Sequence, residues 1–164
     1  MKKVSSFLAT LLFASCAWFQ PKFKSGLEGQ KLPNFSLTIQ DNQASFHTDS
    51  IPPGKSFILF LYRPNCRYCQ EEMQDILNNF KAFSGTPIYL VTWYPNEDAD
   101  QFAGYFHLKK YLNIIRLRDS ASALLTYFKA PGVPYLALYG KQKILQMVIP
   151  GRTDISMLKN NLPD

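Results

Sequence analysis

The chain has 164 residues, 46% hydrophobic, 15% aromatic and 18% charged; that many large apolar side chains exclude a disordered tail and support one domain with a sizeable core. Eighteen Lys+Arg against 12 Asp+Glu give a net charge of +6, but Lys2 and Lys3 belong to a leader. The other basic residues form no run, which argues against a nucleic-acid partner.

After Lys2 and Lys3 comes an apolar stretch from Val4 to Phe13, interrupted only by Ser5, Ser6 and Thr10. It is shorter than the roughly 20 residues of a spanning helix and reads as a secretory signal. It ends in Leu12-Phe13-Ala14-Ser15-Cys16. Two small residues before a cysteine resemble the lipobox of bacterial lipoproteins, in which that cysteine is lipidated and becomes the mature N-terminus. Phe13 stands where Leu is usual, and an ordinary signal peptide that leaves Cys16 idle is the plainer alternative. The resemblance implies a signal peptide over 1–15, a lipid anchor at Cys16, a tether over 16–27 and a folded domain over 28–164.

Along that domain, Phe35, Leu37 and Ile39 alternate with polar residues, Asp41-Asn42 supplies a turn, and Ser45-Phe46-His47 returns as the second arm of a hairpin. Phe57 to Tyr62 is continuously apolar, as expected of a strand buried on both faces. From Cys66 to about Phe83, residues Cys69, Met73, Ile76, Leu77 and Phe80 fall at helical spacing. Glu71, Glu72, Gln74, Asp75 and Asn78 take the other side. Ile88 to Trp93 is a second buried strand, with Trp93 expected in the core beneath the site. Asn96 is a candidate cap for a helix that buries Ala99, Phe102, Ala103 and Phe106. Ile114 to Leu117 is a third strand. Ser120 is a candidate cap for a short helix with Leu124, Leu125 and Phe128 inward. After Pro131-Gly132-Val133-Pro134 come strands over Tyr135 to Tyr139 and Lys143 to Ile149, then a helix presenting Ile155, Leu158 and Leu162. Strands interleaved with helices predict an α/β three-layer sandwich, a central mixed sheet flanked by helices, with an N-terminal β-hairpin extension.

The lipid anchor leaves two cysteines, Cys66 and Cys69, within one helical turn. A bridge closing so small a loop removes little chain entropy, so stability is a poor reason for it. At a helix start following a buried strand, the pair reads as a redox device. Orphan N–H groups and the helix dipole favour a thiolate at Cys66. Arg63 and Arg67 flank it with the same sign of influence, and Cys69 lies on the apolar stripe. Attack by Cys66 on a disulfide, then by Cys69 on the mixed disulfide, releases a reduced product and leaves the pair oxidised.

The segment Phe60-Leu61-Tyr62-Arg63-Pro64-Asn65-Cys66-Arg67-Tyr68-Cys69-Gln70-Glu71-Glu72-Met73 resembles the active-site segment of thioredoxin-fold proteins. The resemblance is to the membrane-anchored, extracytoplasmic disulfide reductases of the TlpA/ResA type. Gly132-Val133-Pro134 is similar to their cis-proline loop. Gly29-Gln30-Lys31-Leu32-Pro33-Asn34-Phe35 resembles an entry sequence shared with peroxiredoxins. The resemblance implies a thiol–disulfide oxidoreductase in the cell envelope, lipid-anchored and facing the periplasm or exterior. Cys66 would attack and Cys69 resolve, while Pro134 would be cis and hold Val133 where an extended substrate pairs. Tyr68 would lie at the substrate rim. The implied partners are an exported protein disulfide and a membrane electron donor, with the chain a monomer and no cofactor beyond the dithiol. Asn65 replaces the usual aromatic residue, Arg67-Tyr68 replaces a Gly-Pro, and Phe60 stands where thioredoxins bury an acid.

Blander and rival readings stand beside this one. A structural disulfide is one. A metal site would need more ligands than Cys66 and Cys69, with His47 and His107 distant in sequence. Glu71, Glu72 and Asp75 read as a solvated helix face. A peroxiredoxin would carry Thr or Ser at the position of Arg63, and a Sco-like copper carrier would space its cysteines more widely.

Overall fold

The computed structural model describes residues 23–162. The signal peptide, Cys16 and most of the expected tether lie outside them. Seven strands form one mixed sheet: β1 (Ser36–Ile39), β2 (Ser45–His47), β3 (Phe57–Leu61), β4 (Ile88–Thr92), β5 (Ile114–Arg118), β6 (Tyr135–Tyr139) and β7 (Leu145–Pro150), in the order β2-β1-β5-β4-β3-β6-β7. The central three, β3, β4 and β5, are parallel, while β6, β7 and the β1–β2 hairpin run antiparallel to their neighbours. The hairpin is joined to the main sheet, because Thr38 pairs with Arg118 and Ile39 with Leu117.

All five residues of β3 and all five of β4 are buried, so the unbroken apolar runs need cover on both faces. On one face, Ile58, Phe60 and Tyr62 pack with Cys69, Met73 and Ile76 of α1 (Arg67–Asn78), Phe102 of α2 (Asn96–Tyr105) and Leu158 of α4 (Ile155–Asn160). On the other, Phe57, Leu59 and Leu61 meet Leu124 and Phe128 of α3 (Ala123–Phe128) and Leu32 and Ile51 of the N-terminal segment. The outcome is the three-layer α/β sandwich, with three helices on one face and one on the other. The last residues of the expected tether are bonded to the domain or run directly into it. Glu28 accepts from the Ser25 and Gly26 amides, and Gly29 and Leu32 donate to the carbonyls of Leu145 and Lys143.

Helix ends depart from the sequence reading. The α1 helix stops at Asn78, where the Asn79 side chain donates to the Asp75 carbonyl, and Phe80–Phe83 is a separate 3-10 turn. Asn96 is not a cap. Pro95 holds that position, and Asn96 is the first residue of α2 with no side-chain cap bond. Nor does Ser120 cap α3. Asp119, 3% exposed, accepts from the amides of Ala123 at 3.0 Å and Leu124 at 2.8 Å. A carboxylate that reaches two orphan donors competes better than a neighbouring hydroxyl.

Asp119→Ala should therefore lower unfolding free energy by about 1–2 kcal/mol, the ordinary cost of a lost cap, with Asp119→Asn losing less. Urea denaturation checks this; a change within a few tenths would show that Asp119 is not the cap.

Candidate active site

The site forms where three elements end. Beyond β3, the Tyr62 amide donates to the Val91 carbonyl at 3.0 Å, and the Cys66 amide closes a turn onto Arg63 at 3.1 Å. That turn sets Cys66 at the N-cap of α1, with extended backbone. Cap positions usually carry a side-chain oxygen. Here the Cys66 Sγ accepts from the Cys69 amide at 3.3 Å.

The register of β3 against β6 brings in the third element. Leu61 pairs with Tyr135, which places the loop before β6 beside the turn. The Val133–Pro134 peptide bond is cis. The Cys66 thiol donates to the Val133 carbonyl at 3.6 Å across 67 residues of sequence. Both cysteines are free thiols; Cys66 is 7% exposed and Cys69 has no exposed surface. Burial pushes the Cys69 thiol well up, and its bond to Cys66 adds to that, against the opposing pull of the Arg63 amide and charge. The two sulfurs thus differ: Cys66 keeps a small exposed area between one N–H donor and one carbonyl, and Cys69 is held protonated beneath it.

The remaining candidates are distributed as follows. Arg63 is exposed and acts on Cys69. Arg67 is turned to Glu71, its Nε 2.8 Å from the carboxylate. Tyr68 is 61% exposed on the first turn of α1. Phe60 is fully buried and brings no acid to the thiols. Trp93 is only half-buried, its ring against Tyr94, because the chain has left β4 at Thr92. His47 lies exposed on β2, and His107 is exposed beyond the end of α2. Among the described residues, no three His, Cys, Asp or Glu side chains gather as a metal site would require.

One carboxylate overturns its reading. Glu72 is not on the solvated face but fully buried. Together with Cys69, Met73 and Ile76 it falls at i, i+3, i+4 and i+7, the spacing of the inward stripe, and that spacing is the signal that could have found it. Its Oε2 accepts from the Thr153 amide at 2.8 Å, while its Oε1 has no partner. Arg152, paired with Asp75 at 2.6 Å and Glu71 at 3.4 Å, covers the outer edge. Burial raises the Glu72 carboxyl to about 7, the Thr153 bond opposing.

A two-cysteine helix start beside a cis-proline loop, on a sheet of this topology, defines the thioredoxin-like class of fold. The match to the AhpC/TSA family model spans residues 28–143, and the chain belongs to that family. A sequence search of curated proteins finds no match. Among solved structures, DsbF of Mycobacterium tuberculosis in mixed oxidized and reduced forms is similar at 19% identity and TM-score 0.67, over 85% of this chain and 96% of that one. The thioredoxin domain of a thiol–disulfide oxidoreductase from Bacteroides vulgatus is similar at 20% and 0.66, over 82% and 97%. Enterococcus faecalis AhpC is similar at 16% and 0.66, over 82% and 89%.

The pH dependence of stability reports Glu72. Its folded value lies above the ordinary 4.5, so between about pH 4.5 and pH 7 the folded state binds more protons than the unfolded one. Stability therefore falls as pH rises through that window, by up to about 3 kcal/mol at 1.36 kcal/mol per pKa unit. Glu72→Gln should flatten the slope in denaturant titrations at pH 5 and pH 7.5. An unchanged slope would assign the dependence to other groups.

Proposed function

We propose that this chain is a thiol–disulfide oxidoreductase of the TlpA/ResA type that reduces disulfides of exported proteins. The observation that carries this is the placing of Cys66 Sγ between the Cys69 amide and the Val133 carbonyl, with Cys69 buried directly behind it. The Cys66 thiolate attacks one sulfur of the substrate disulfide, that S–S bond breaks, and the other sulfur leaves as a thiolate that takes up a proton. Cys69 then loses its proton and attacks Cys66 of the mixed disulfide. The substrate departs with two thiols, and the protein keeps the Cys66–Cys69 disulfide. Two electrons have passed to the substrate, and a membrane electron donor restores the dithiol.

The half-buried Val133 and the cis bond at Pro134 present a backbone edge against which an extended substrate can pair, and Tyr68 forms its exposed rim. No cofactor beyond the dithiol enters these steps. The leader and Cys16 support export and a lipid anchor, with the domain a monomer facing the periplasm or cell exterior. A peroxidase reading is weaker: in the peroxiredoxin motif a hydroxyl three residues before the reactive cysteine holds the peroxide, and Arg63 stands there.

The trapping experiment tests both cysteine roles. Reduced wild type should reduce the disulfides of insulin. Cys69→Ser should instead accumulate a stable mixed disulfide with insulin through Cys66, and Cys66→Ser should form none. Adduct formation by Cys66→Ser would reverse the roles. Rapid turnover of hydrogen peroxide with insulin left intact would replace the proposal by a peroxidase.

A further inference from the structure

The site has a second flank. Because β3 lies between β4 and β6, the Val133 loop that opens β6 stands on one side of Cys66, and α2, which follows β4, stands on the other. Between α1 and α2 run two adjoining hollows of about 310 and 260 Å³. They share Gln70, Tyr105 and Phe106, and the larger reaches Pro64 and Asn65, the two residues before Cys66. The result is one groove that starts at the two residues before Cys66 and runs between α1 and α2.

Its lining has a consistent chemistry. Gln70, Gln74 and Gln101 are exposed carboxamides along it, groups that pair with peptide N–H and C=O without demanding a particular side chain. Gln70 is fixed by a 2.9 Å bond from its Nε2 to the Pro64 carbonyl. Tyr105, 75% exposed, presents a flat ring held edge-on to Phe106 at 4.8 Å. Arg67 and Glu71 neutralise each other at 2.8 Å, which leaves Asp98 as the groove's unbalanced charge.

We infer that the α1–α2 groove seats the polypeptide on one side of the substrate disulfide, and that it favours extended segments of neutral or basic character. The inference rests on the oxidoreductase reading and adds where the substrate lies. A protein disulfide brings chain on both sides of the sulfurs. The Val133 edge takes one extended segment; the groove, which begins at Asn65 beside Cys66, takes the other. A small disulfide reaches neither, so Tyr105 and Asp98 select for protein substrates without touching the exchange itself.

The test uses the full chain, reduced beforehand, and two probes. One is Ellman's reagent. The other is a short unstructured peptide whose cysteine carries thionitrobenzoate, prepared in basic and acidic versions. In each reaction the Cys66 thiolate displaces thionitrobenzoate anion, which is read directly by its absorbance. Tyr105→Ala should slow reaction with the basic peptide about tenfold, or about 1.4 kcal/mol, and leave the rate with Ellman's reagent unchanged. Tyr105→Phe should retain the wild-type rate with both, and Asp98→Asn should erase the preference for the basic over the acidic peptide. Thermal unfolding of each variant identifies any loss that comes from misfolding, and Asp98→Asn then carries the test. Equal slowing of both probes, no slowing of either, or wild type indifferent to peptide charge would overturn the groove assignment. Wild type inert to Ellman's reagent and to both peptides would instead overturn the oxidoreductase reading, and the groove assignment would fall with it.

Discussion

A single sulfur at a helix start organises this molecule. Cys66 Sγ accepts from the Cys69 amide and meets the Val133 carbonyl, and each contact requires a different part of the fold. The amide is available because α1 begins at Arg67, leaving its first N–H groups without intrahelical partners. The carbonyl is available because β6 pairs with β3 in the register that sets Tyr135 against Leu61. Shifting that register by one residue would carry the Val133 loop away and would also turn the alternating cores of β6 inside out. Packing and chemistry are therefore specified by the same strand pairing.

Much of this was legible in the sequence because the signals were continuous or repeated. The run from Phe57 to Tyr62 reads as a strand buried on both faces, and two cysteines three apart at the start of the helix that follows it lie on one face of its first turn. What the sequence hid depended on contacts between distant segments. Glu72 reads as one of several acids on a solvated face, yet the Thr153 amide lies above it and makes that position interior. Asp119 displaces Ser120 as a cap because its carboxylate reaches two amides. Asn96 looks like a cap until Pro95 takes the position. Trp93 reads as core by hydrophobicity, whereas β4 ends one residue earlier and leaves the ring half-buried. Each error comes from judging a side chain by its type where its partner decides.

The arrangement of layers shapes the surroundings of the site. With α1, α2 and α4 all on one face of the sheet, α1 has neighbours on both flanks: the Thr153 segment on one, α2 on the other. The first buries Glu72, and the second forms the groove beside Asn65. The other face, held by α3 and the N-terminal segment, forms the second core, against which Val133 of the site also packs.

The central proposal is that the fold makes two chemically similar thiols unequal, with Cys66 the attacking thiol and Cys69 held protonated by burial. The most direct measurement is the order in which they are alkylated. Reduced protein treated at pH 7 with limiting iodoacetamide and mapped by mass spectrometry should carry the label on Cys66 well before any appears on Cys69. Labelling of Cys69 first, or of both at the same rate, would contradict the account.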